Sequence, residues 1–182
     1  AFAGCSALKS IVLPDSVISI GDCVFTECEK LTNVTFGNGI KSIGHSTFMN
    51  CQNLTDIEIP NAVTDIKMNM FYGCSQLRHI EIPDNVTNIE FLAFSNCIKL
   101  ETVYLSSSIE NIGEEAFSGC NNLMEIKNGS KKVINCNVNV FADVAYDNAT
   151  LYVPKGRKIF YERKSPWNKF IIEEFDDVDT FV

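Results

Sequence analysis

A single motif recurs in this chain at an unvarying spacing of 23 residues. The motif is F-x-x-C-x-x-L, and its copies begin at Phe2, Phe25, Phe48, Phe71, Phe94 and Phe117. A chain that repeats one short unit at a fixed period folds as a stack of units, each packed only against its neighbours. The sequence therefore predicts a repeat solenoid rather than an ordinary globular domain.

The remaining positions of the unit predict what one coil contains. An I-x-L pattern, as in "IEIP" at 57–60 and again at 80–83, has the period of two of a strand with one buried face. Proline and then Asp or Asn follow and indicate a turn. A second apolar pair predicts a short extended or 3₁₀ segment, and the apolar spacing of three in F-x-x-C-x-x-L favours a short helical turn. Stacked coils of this kind form a parallel, strand-lined solenoid.

Two stretches carry a family resemblance. "LTDIEIPNAVTDIKMNMFYGC" at 54–74 and "IPDNVTNIEFLAFSNC" at 82–97 resemble the BspA-like leucine-rich repeats of bacterial and some protist cell surfaces. The resemblance covers residues 1–150. It implies a right-handed, curved, strand-lined leucine-rich repeat of about six coils with short helical or 3₁₀ turns. It further implies a secreted or surface-attached protein that binds or adheres to other proteins.

The repeat loses its register after Ile126, as the last coils of a solenoid commonly do. We expect three parts: the repeat array at 1–150, a capping segment at 151–175 and an acidic tail at 176–182. The "VPKG" at 153–156, with a tyrosine and a tryptophan after it, also resembles the closing segment of BspA-like proteins. "KFII" is expected to form a final strand, and four apolar residues are expected to cover the end of the core: Ile159, Phe160, Trp167 and Phe170. A ligand-binding aromatic cluster is the alternative. Because the chain begins inside a repeat, we expect further coils upstream.

Charge and hydropathy argue against two classes of partner. The net charge is −8, and no basic stripe is present to bind phosphate, so nucleic acid is not expected. No segment approaches the roughly 18–20 consecutive apolar residues of a membrane-spanning helix.

The cysteines form a ladder rather than a site. One lies in each motif, at Cys5, Cys28, Cys51, Cys74, Cys97 and Cys120, while Cys23 and Cys136 lie off the ladder. No C-x-x-C pair is present, so we expect neither a metal nor a cofactor. We predict eight free thiols that act as small hydrophobes with a weak donor, with disulfides between neighbouring coils as the alternative. Cysteine usage alone favours a reducing compartment, whereas the resemblance implies a secreted or cell-surface location.

The sequence offers no catalytic constellation. The two histidines, His45 and His79, fall at different positions of the coil, and no nucleophile elbow, H-E-x-x-H or phosphate-binding loop occurs. We therefore expect that the protein is not an enzyme.

The outward positions of the strands vary while the core positions stay constant, which is the pattern of a scaffold that displays a surface. We expect a monomer whose strand-lined face binds an extracellular or host-surface protein, such as a matrix or plasma glycoprotein. A passive stalk or spacer is the alternative. The candidate face consists of Thr35, Asp56, Glu58, His79, Glu81 and Tyr104. Glu58 and Glu81 should lie opposite each other, which is unfavourable unless Arg78, solvent, a bound cation or a basic partner offsets the charges.

Overall fold

The computed structural model describes residues 1–176 and shows a parallel-strand solenoid of about seven turns. The strands of the described chain are β1 (Ser10–Val12), β2 (Ser19–Ile20), β3 (Asn33–Thr35), β4 (Ser42–Ile43), β5 (Asp65–Ile66), β6 (His79–Glu81), β7 (Asn88–Ile89), β8 (Thr102–Leu105), β9 (Asn111–Ile112), β10 (Glu125–Asn128), β11 (Asn135–Cys136), β12 (Thr150–Pro154) and β13 (Ile171–Phe175). Two short helices, α1 (Asp143–Asn148) and α2 (Lys158–Tyr161), and a 3₁₀ turn at Trp167–Lys169 occur near the C-terminal end.

The strands form two columns that run along the solenoid. In the first column β1 pairs with β3, and β6, β8, β10, β12 and β13 form one parallel sheet in that order. In the second column β2 pairs with β4, and β5, β7, β9 and β11 form one parallel sheet. The pairing joins equivalent residues of neighbouring coils, for example Ile80 with Val103 and Val103 with Ile126. The second residue of each second apolar pair, such as Ile20 or Ile43, thus lies in a short strand, which is the extended one of the two forms that the sequence predicted.

The F-x-x-C-x-x-L motif forms a pair of tight turns. The Cys74 amide donates to the Phe71 carbonyl and the Leu77 amide donates to the Cys74 carbonyl, both over 3.1 Å. These are i to i+3 bonds of the 3₁₀ type, but they do not continue into a helix. Five successive turns each contain two residues with positive φ, such as Asn69 at 55° and Gly73 at 72°. Left-handed residues end a right-handed helix, so each turn stays single.

A column of aromatic rings runs through the core. The rings of Phe2, Phe25, Phe48, Phe71, Phe94, Phe117 and Phe141 stack with centroids 5.2–5.5 Å apart and interplanar angles of 4–10°. The cysteine ladder lies beside it, and each buried ladder thiol donates to the phenylalanine carbonyl of the preceding motif; the Sγ of Cys120 lies 3.2 Å from the Phe94 carbonyl oxygen. The predicted role of Cys120 as a packed small side chain with a weak donor agrees with this geometry.

The third coil departs from the prediction. Residues 56–58 form no strand, and within residues 1–176 the backbone groups of 55–59 make no hydrogen bond to the neighbouring coils. The expected strand at "IEIP" 57–60 is therefore wrong, although Ile57 and Ile59 are buried in the core as expected. The second column is also interrupted at this level, because β4 and β5 do not pair.

We attribute the interruption to Phe36. Equivalent positions in other coils hold Leu13, Ile59 and Ile82, whereas the larger Phe36 ring packs edge-on against Phe48 at 6.2 Å. We infer that the bulkier ring holds the second and third coils apart on the strand side. On the turn side the coils stay joined, since the Phe48 amide donates to the Met70 carbonyl over 2.9 Å.

The C-terminal end of the core is covered by a cluster of aromatic side chains. Trp167 and Phe170 are buried there as expected, and their rings pack edge-on against Phe141 at 5.5 and 5.1 Å. The expectation for Ile159 and Phe160 is wrong, because both are about half exposed, at 48% and 51%.

The orientation of α2 explains that error, because it directs Tyr161 inward instead. The Tyr161 hydroxyl donates to the Lys132 carbonyl and accepts from the buried Asn128 amide, both over 2.7 Å. "KFII" contributes its two isoleucines to β13. The part boundaries at 150/151 and 175/176 stay a prediction, and residues 177–182 of the acidic tail lie outside the described residues.

Candidate recognition face

The outward side chains of the first strand column form the candidate recognition face. The strand register aligns one row as Ser10, Asn33, His79, Thr102, Glu125, Thr150 and Ile171, and a second row as Val12, Thr35, Glu81, Tyr104, Lys127, Tyr152 and Glu173. Asp56 and Glu58 occupy the equivalent positions of the third coil, where no strand forms. The structure thus brings the sequence candidates onto one side of the solenoid, except that Asp56 and Glu58 lie on irregular backbone.

One half of the face is acidic and uncompensated. Asp56, Glu58 and Glu81 are all exposed, and none makes an ion pair or a hydrogen bond with another side chain in the part of the chain that the structure describes. Arg78 does not offset them, because its guanidinium pairs with Glu101. Thr35 and His79 are exposed beside these carboxylates, and the Thr35 hydroxyl donates to Asn33 Oδ1 over 3.2 Å.

The other half of the face is aromatic and basic. The Lys127 Nζ lies 4.8 Å from the centroid of the Tyr104 ring, 3.2 Å from its hydroxyl and 3.5 Å from Glu125 Oε2. Partial burial opposes the charge, but the hydrogen bond to Tyr104 and the nearby Glu125 outweigh it and raise the pKa of Lys127. Tyr152 follows Lys127 in register on the next strand. The ammonium group is therefore held charged within a row that contains two tyrosines.

Sequence reasoning missed Tyr152 and its neighbours in the last two strands. The unit between Lys127 and Tyr152 is two residues longer than the repeat, so a fixed period of 23 does not align them. The signal that identifies them is the local "LYVP" pattern at 151–154, which repeats the alternation and terminal proline of earlier strands.

A groove runs beside this face, along the C-terminal ends of its strands. Its volume is about 1330 Å³, and its lining includes Glu81, Tyr104, Ser106, Lys132 and Phe175. The Ser106 hydroxyl oxygen is buried and has no hydrogen-bond partner among residues 1–176. The face and the groove together provide carboxylates, aromatic rings, amines and hydroxyls within a few coils.

The cysteines lie away from this surface. All eight are free thiols, and five of the six ladder members are fully buried. Burial raises the pKa of Cys51 and Cys120 to about 12, which keeps both in the unreactive thiol form. Over residues 1–176, no three histidine, cysteine, aspartate or glutamate side chains are grouped as metal ligands. The same residues contain no helix long and apolar enough to cross a membrane.

Solved structures similar to this chain are bacterial leucine-rich repeat proteins. A leucine rich cell surface protein from Faecalibacterium prausnitzii is 36% identical with a TM-score of 0.66, over 68% of this chain and 33% of that one. The leucine-rich repeat protein of T. pallidum is 32% identical with a TM-score of 0.72, over 79% of this chain and 70% of that one. The pneumococcal vaccine antigen PcpA shares the fold, with 21% identity and a TM-score of 0.74 over 92% of this chain and 42% of that one.

The chain thus spans a third of the F. prausnitzii protein and under half of PcpA. No match to a curated protein was found. The family model for the BspA type leucine rich repeat region matches in six copies, over residues 1–124 and 41–162. That family and the surface-protein neighbours indicate a protein-interaction repeat module. On these grounds the chain belongs to the BspA type leucine-rich repeat family.

Proposed function

We propose that this chain is a non-catalytic adhesion module of a secreted or cell-surface protein, and that its recognition face binds an extracellular or host-surface protein. The observation that carries the proposal is the set of uncompensated carboxylates at Asp56, Glu58 and Glu81 beside the Tyr104–Lys127–Tyr152 row. The name of the similar F. prausnitzii protein, a leucine rich cell surface protein, supports the location.

The two halves of the face favour different groups of a partner. Lysine or arginine side chains of the partner would pair with the free carboxylates, and such charge complementarity speeds association and fixes the register of the complex. The tyrosine-rich half supplies the residue type that most often anchors protein interfaces. A matrix or plasma glycoprotein with an exposed basic segment fits both requirements.

The test is binding of the chain to a panel of matrix and plasma proteins, followed by biolayer interferometry. A triple variant, Glu58→Lys, Glu81→Lys, Tyr104→Ala, removes both halves of the face. A matched control, Glu29→Lys, Asp147→Lys, Phe160→Ala, makes the same change in charge and in aromatic content at exposed positions elsewhere.

We expect the native chain and the control to bind a panel member equally, and the triple variant to lose about tenfold or more in affinity. Unchanged binding by the triple variant would move the site off this face. Failure of the native chain to bind any panel protein would favour the passive stalk over the adhesion module.

A further inference from the structure

A second surface of the solenoid carries a ladder of carboxamides. Asp65, Asn88, Asn111 and Asn135 occupy the same position in β5, β7, β9 and β11. Each amide donates to the side chain of the preceding coil: Asn88 to Asp65 over 3.2 Å, Asn111 to Asn88 over 3.0 Å and Asn135 to Asn111 over 3.3 Å. An asparagine side chain has two donor hydrogens and two acceptor lone pairs. Asn88 uses both of its donor hydrogens, because it also donates to the Thr87 hydroxyl over 3.0 Å. Among residues 1–176, Asn111 and Asn135 each use one donor hydrogen and so retain donor and acceptor capacity along the solenoid axis.

This ladder lines a shallow groove with a volume of about 360 Å³, which we call the amide groove. The groove spans four coils of the second strand column and has no lining residue in common with the recognition face. Equivalent residues of neighbouring coils are about 5 Å apart, as the 5.2–5.5 Å spacing of the stacked rings shows. An elongated ligand that lies along the axis would meet the same chemistry once in every coil.

The carboxylates of the amide groove are already satisfied within the protein. Asp65 accepts from Asn88 and Thr64, and Lys67 Nζ lies 3.6 Å from it. Glu90 accepts from Lys67 over 3.1 Å and from the Met68 amide over 2.9 Å. Glu114, farther along, accepts from the Asn139 amide over 2.7 Å. The carboxylate oxygens are therefore engaged within the protein, and the net negative charge of three carboxylates beside the single Lys67 disfavours an anionic ligand.

Two partly exposed apolar side chains, Met68 and Phe91, lie next in sequence to Lys67 and Glu90 at the border of the groove. Met68 and Phe91 are equivalent residues of neighbouring coils, and they are 38% and 42% exposed. Phe91 directly follows the groove residue Glu90. In the coils on either side the same position holds a polar residue, His45 or Glu114. The exposed ring is thus local to the amide groove.

We propose that the amide groove binds a neutral polysaccharide strand along the solenoid axis. Sugar hydroxyl groups both donate and accept hydrogen bonds, which matches the mixed capacity of the carboxamides. The C–H face of a sugar ring packs on an exposed aromatic ring, and Phe91 presents one at the border. One sugar unit is roughly as long as the spacing between coils, so successive units meet successive asparagines. This site is separate from the recognition face and does not depend on the proposed function.

The test is electrophoresis of the intact chain through native gels that contain one polysaccharide each. The neutral probes are hydroxyethylcellulose, laminarin and dextran, and the anionic probe is hyaluronan. The Phe91→Ala variant removes the partly exposed ring, and the Phe160→Ala variant removes a ring of similar exposure elsewhere, 51% against 42%. Asn111→Ala interrupts the ladder at its centre.

We expect at least one neutral glucan to retard the native chain and the Phe160→Ala variant equally, and hyaluronan to have no effect. Phe91→Ala should raise the dissociation constant by about tenfold, the loss of one aromatic contact, and Asn111→Ala should raise it as well. The recognition-face triple variant should retain native retardation, which separates this site from the protein-binding face. Absence of retardation by all three glucans, retardation by hyaluronan alone, or native retardation of Phe91→Ala would each overturn the proposal.

Discussion

The stacked phenylalanine column predicts a specific cost for one substitution, Phe94→Leu. The Phe94 side chain is fully buried, and its ring stacks on Phe71 and on Phe117 with centroids 5.2 Å away on both sides. A stacked aromatic pair contributes about 0.5–1.5 kcal/mol beyond the area that it buries. Leucine keeps most of the apolar volume but removes both pairs. We therefore expect the free energy of unfolding to fall by about 1–3 kcal/mol.

The matched control is Phe2→Leu at the end of the same column. The Phe2 ring is 39% exposed and stacks on a single ring, that of Phe25, at 5.5 Å. Its replacement should cost at most about 1 kcal/mol, because one pair is lost and part of the ring is already hydrated. Urea unfolding followed by circular dichroism and by fluorescence of the buried Trp167 measures both variants.

A double-mutant cycle distinguishes stacking from simple burial. Phe71→Leu and Phe94→Leu remove adjacent rings, so their combined effect should differ from the sum by about 0.5–1.5 kcal/mol. Phe48→Leu and Phe117→Leu remove rings that do not touch, so their effects should add. Equal costs for Phe94→Leu and Phe2→Leu, or additivity in the adjacent pair, would refute the view that the column is stabilised by its ring contacts.

Three further outcomes follow from the same structure. Burial raises the pKa of Cys120 to about 12 in the folded state, so the contribution of its protonated thiol to stability is complete below about pH 9 and is lost as pH rises towards 12. The free energy of unfolding, measured in urea against pH, should therefore fall in this range. Cys120→Ala should reduce the slope of that fall by about 1.4 kcal/mol per pH unit. Phe36→Leu should let residues 56–59 pair with their neighbours, so hydrogen exchange at these amides should slow, whereas unchanged exchange would exclude Phe36 as the cause of the interruption. Trp167→Phe leaves the Ile134 carbonyl without its 2.9 Å donor and should lower the melting temperature by several degrees, whereas Phe160→Ala should leave it nearly unchanged.

The repeated core was predictable because each of its positions obeys the same contact rule in every coil. Leu77, Ile80 and Phe71 are buried, and so are the residues at the same positions of neighbouring coils. The six copies of the motif therefore repeat the same evidence for which positions are buried. One of the two left-handed residues of each turn also carries a sequence signal, whereas the other position, held by Cys23, Ser46, Leu92 or Glu115, carries none. Gly4, Gly73 and Gly119 precede a motif cysteine, as do Asn50 and Asn96, and glycine and asparagine tolerate positive φ best.

The third coil was not predictable in this way, because its departure arises from a neighbour. Residues 57–60 repeat the sequence of 80–83, and yet only the second copy contributes to a strand. A strand in a solenoid exists through the hydrogen bonds of adjacent coils, so a large ring at Phe36 in the coil before can abolish it. Local pattern specifies which face of a segment is buried, whereas pairing depends on how closely the next coil approaches.

The cap shows the same division between local and tertiary control. The sequence "KIFY" has three consecutive apolar residues, and all of them suit a core. In the structure Tyr161 is buried while Ile159 and Phe160 face solvent. Asn128 takes the place of an aliphatic residue and is fully buried, so its amide needs a hydrogen-bond partner. The Tyr161 hydroxyl is that partner, and this contact decides which side of α2 is buried. That partner lies 33 residues away in the chain, so no periodic pattern contains it.

The two proposed binding surfaces occur where the sequence departs from its own repeat. Side chains at core positions must pack against the coils on both sides, so few residue types are suitable there. These positions therefore indicate the fold and not the function. Outward positions are free of that requirement, and there the coils differ: Glu81 is followed by Tyr104 and then Lys127 in one row. Some of these differences do not improve the stack, since the carboxylates of Asp56, Glu58 and Glu81 have no partner side chain in the described protein and the Phe91 ring is partly exposed. Their clustering on two separate faces is therefore best explained by ligands, and the paired control variants at Phe160 test that explanation on both faces with the same exposed ring.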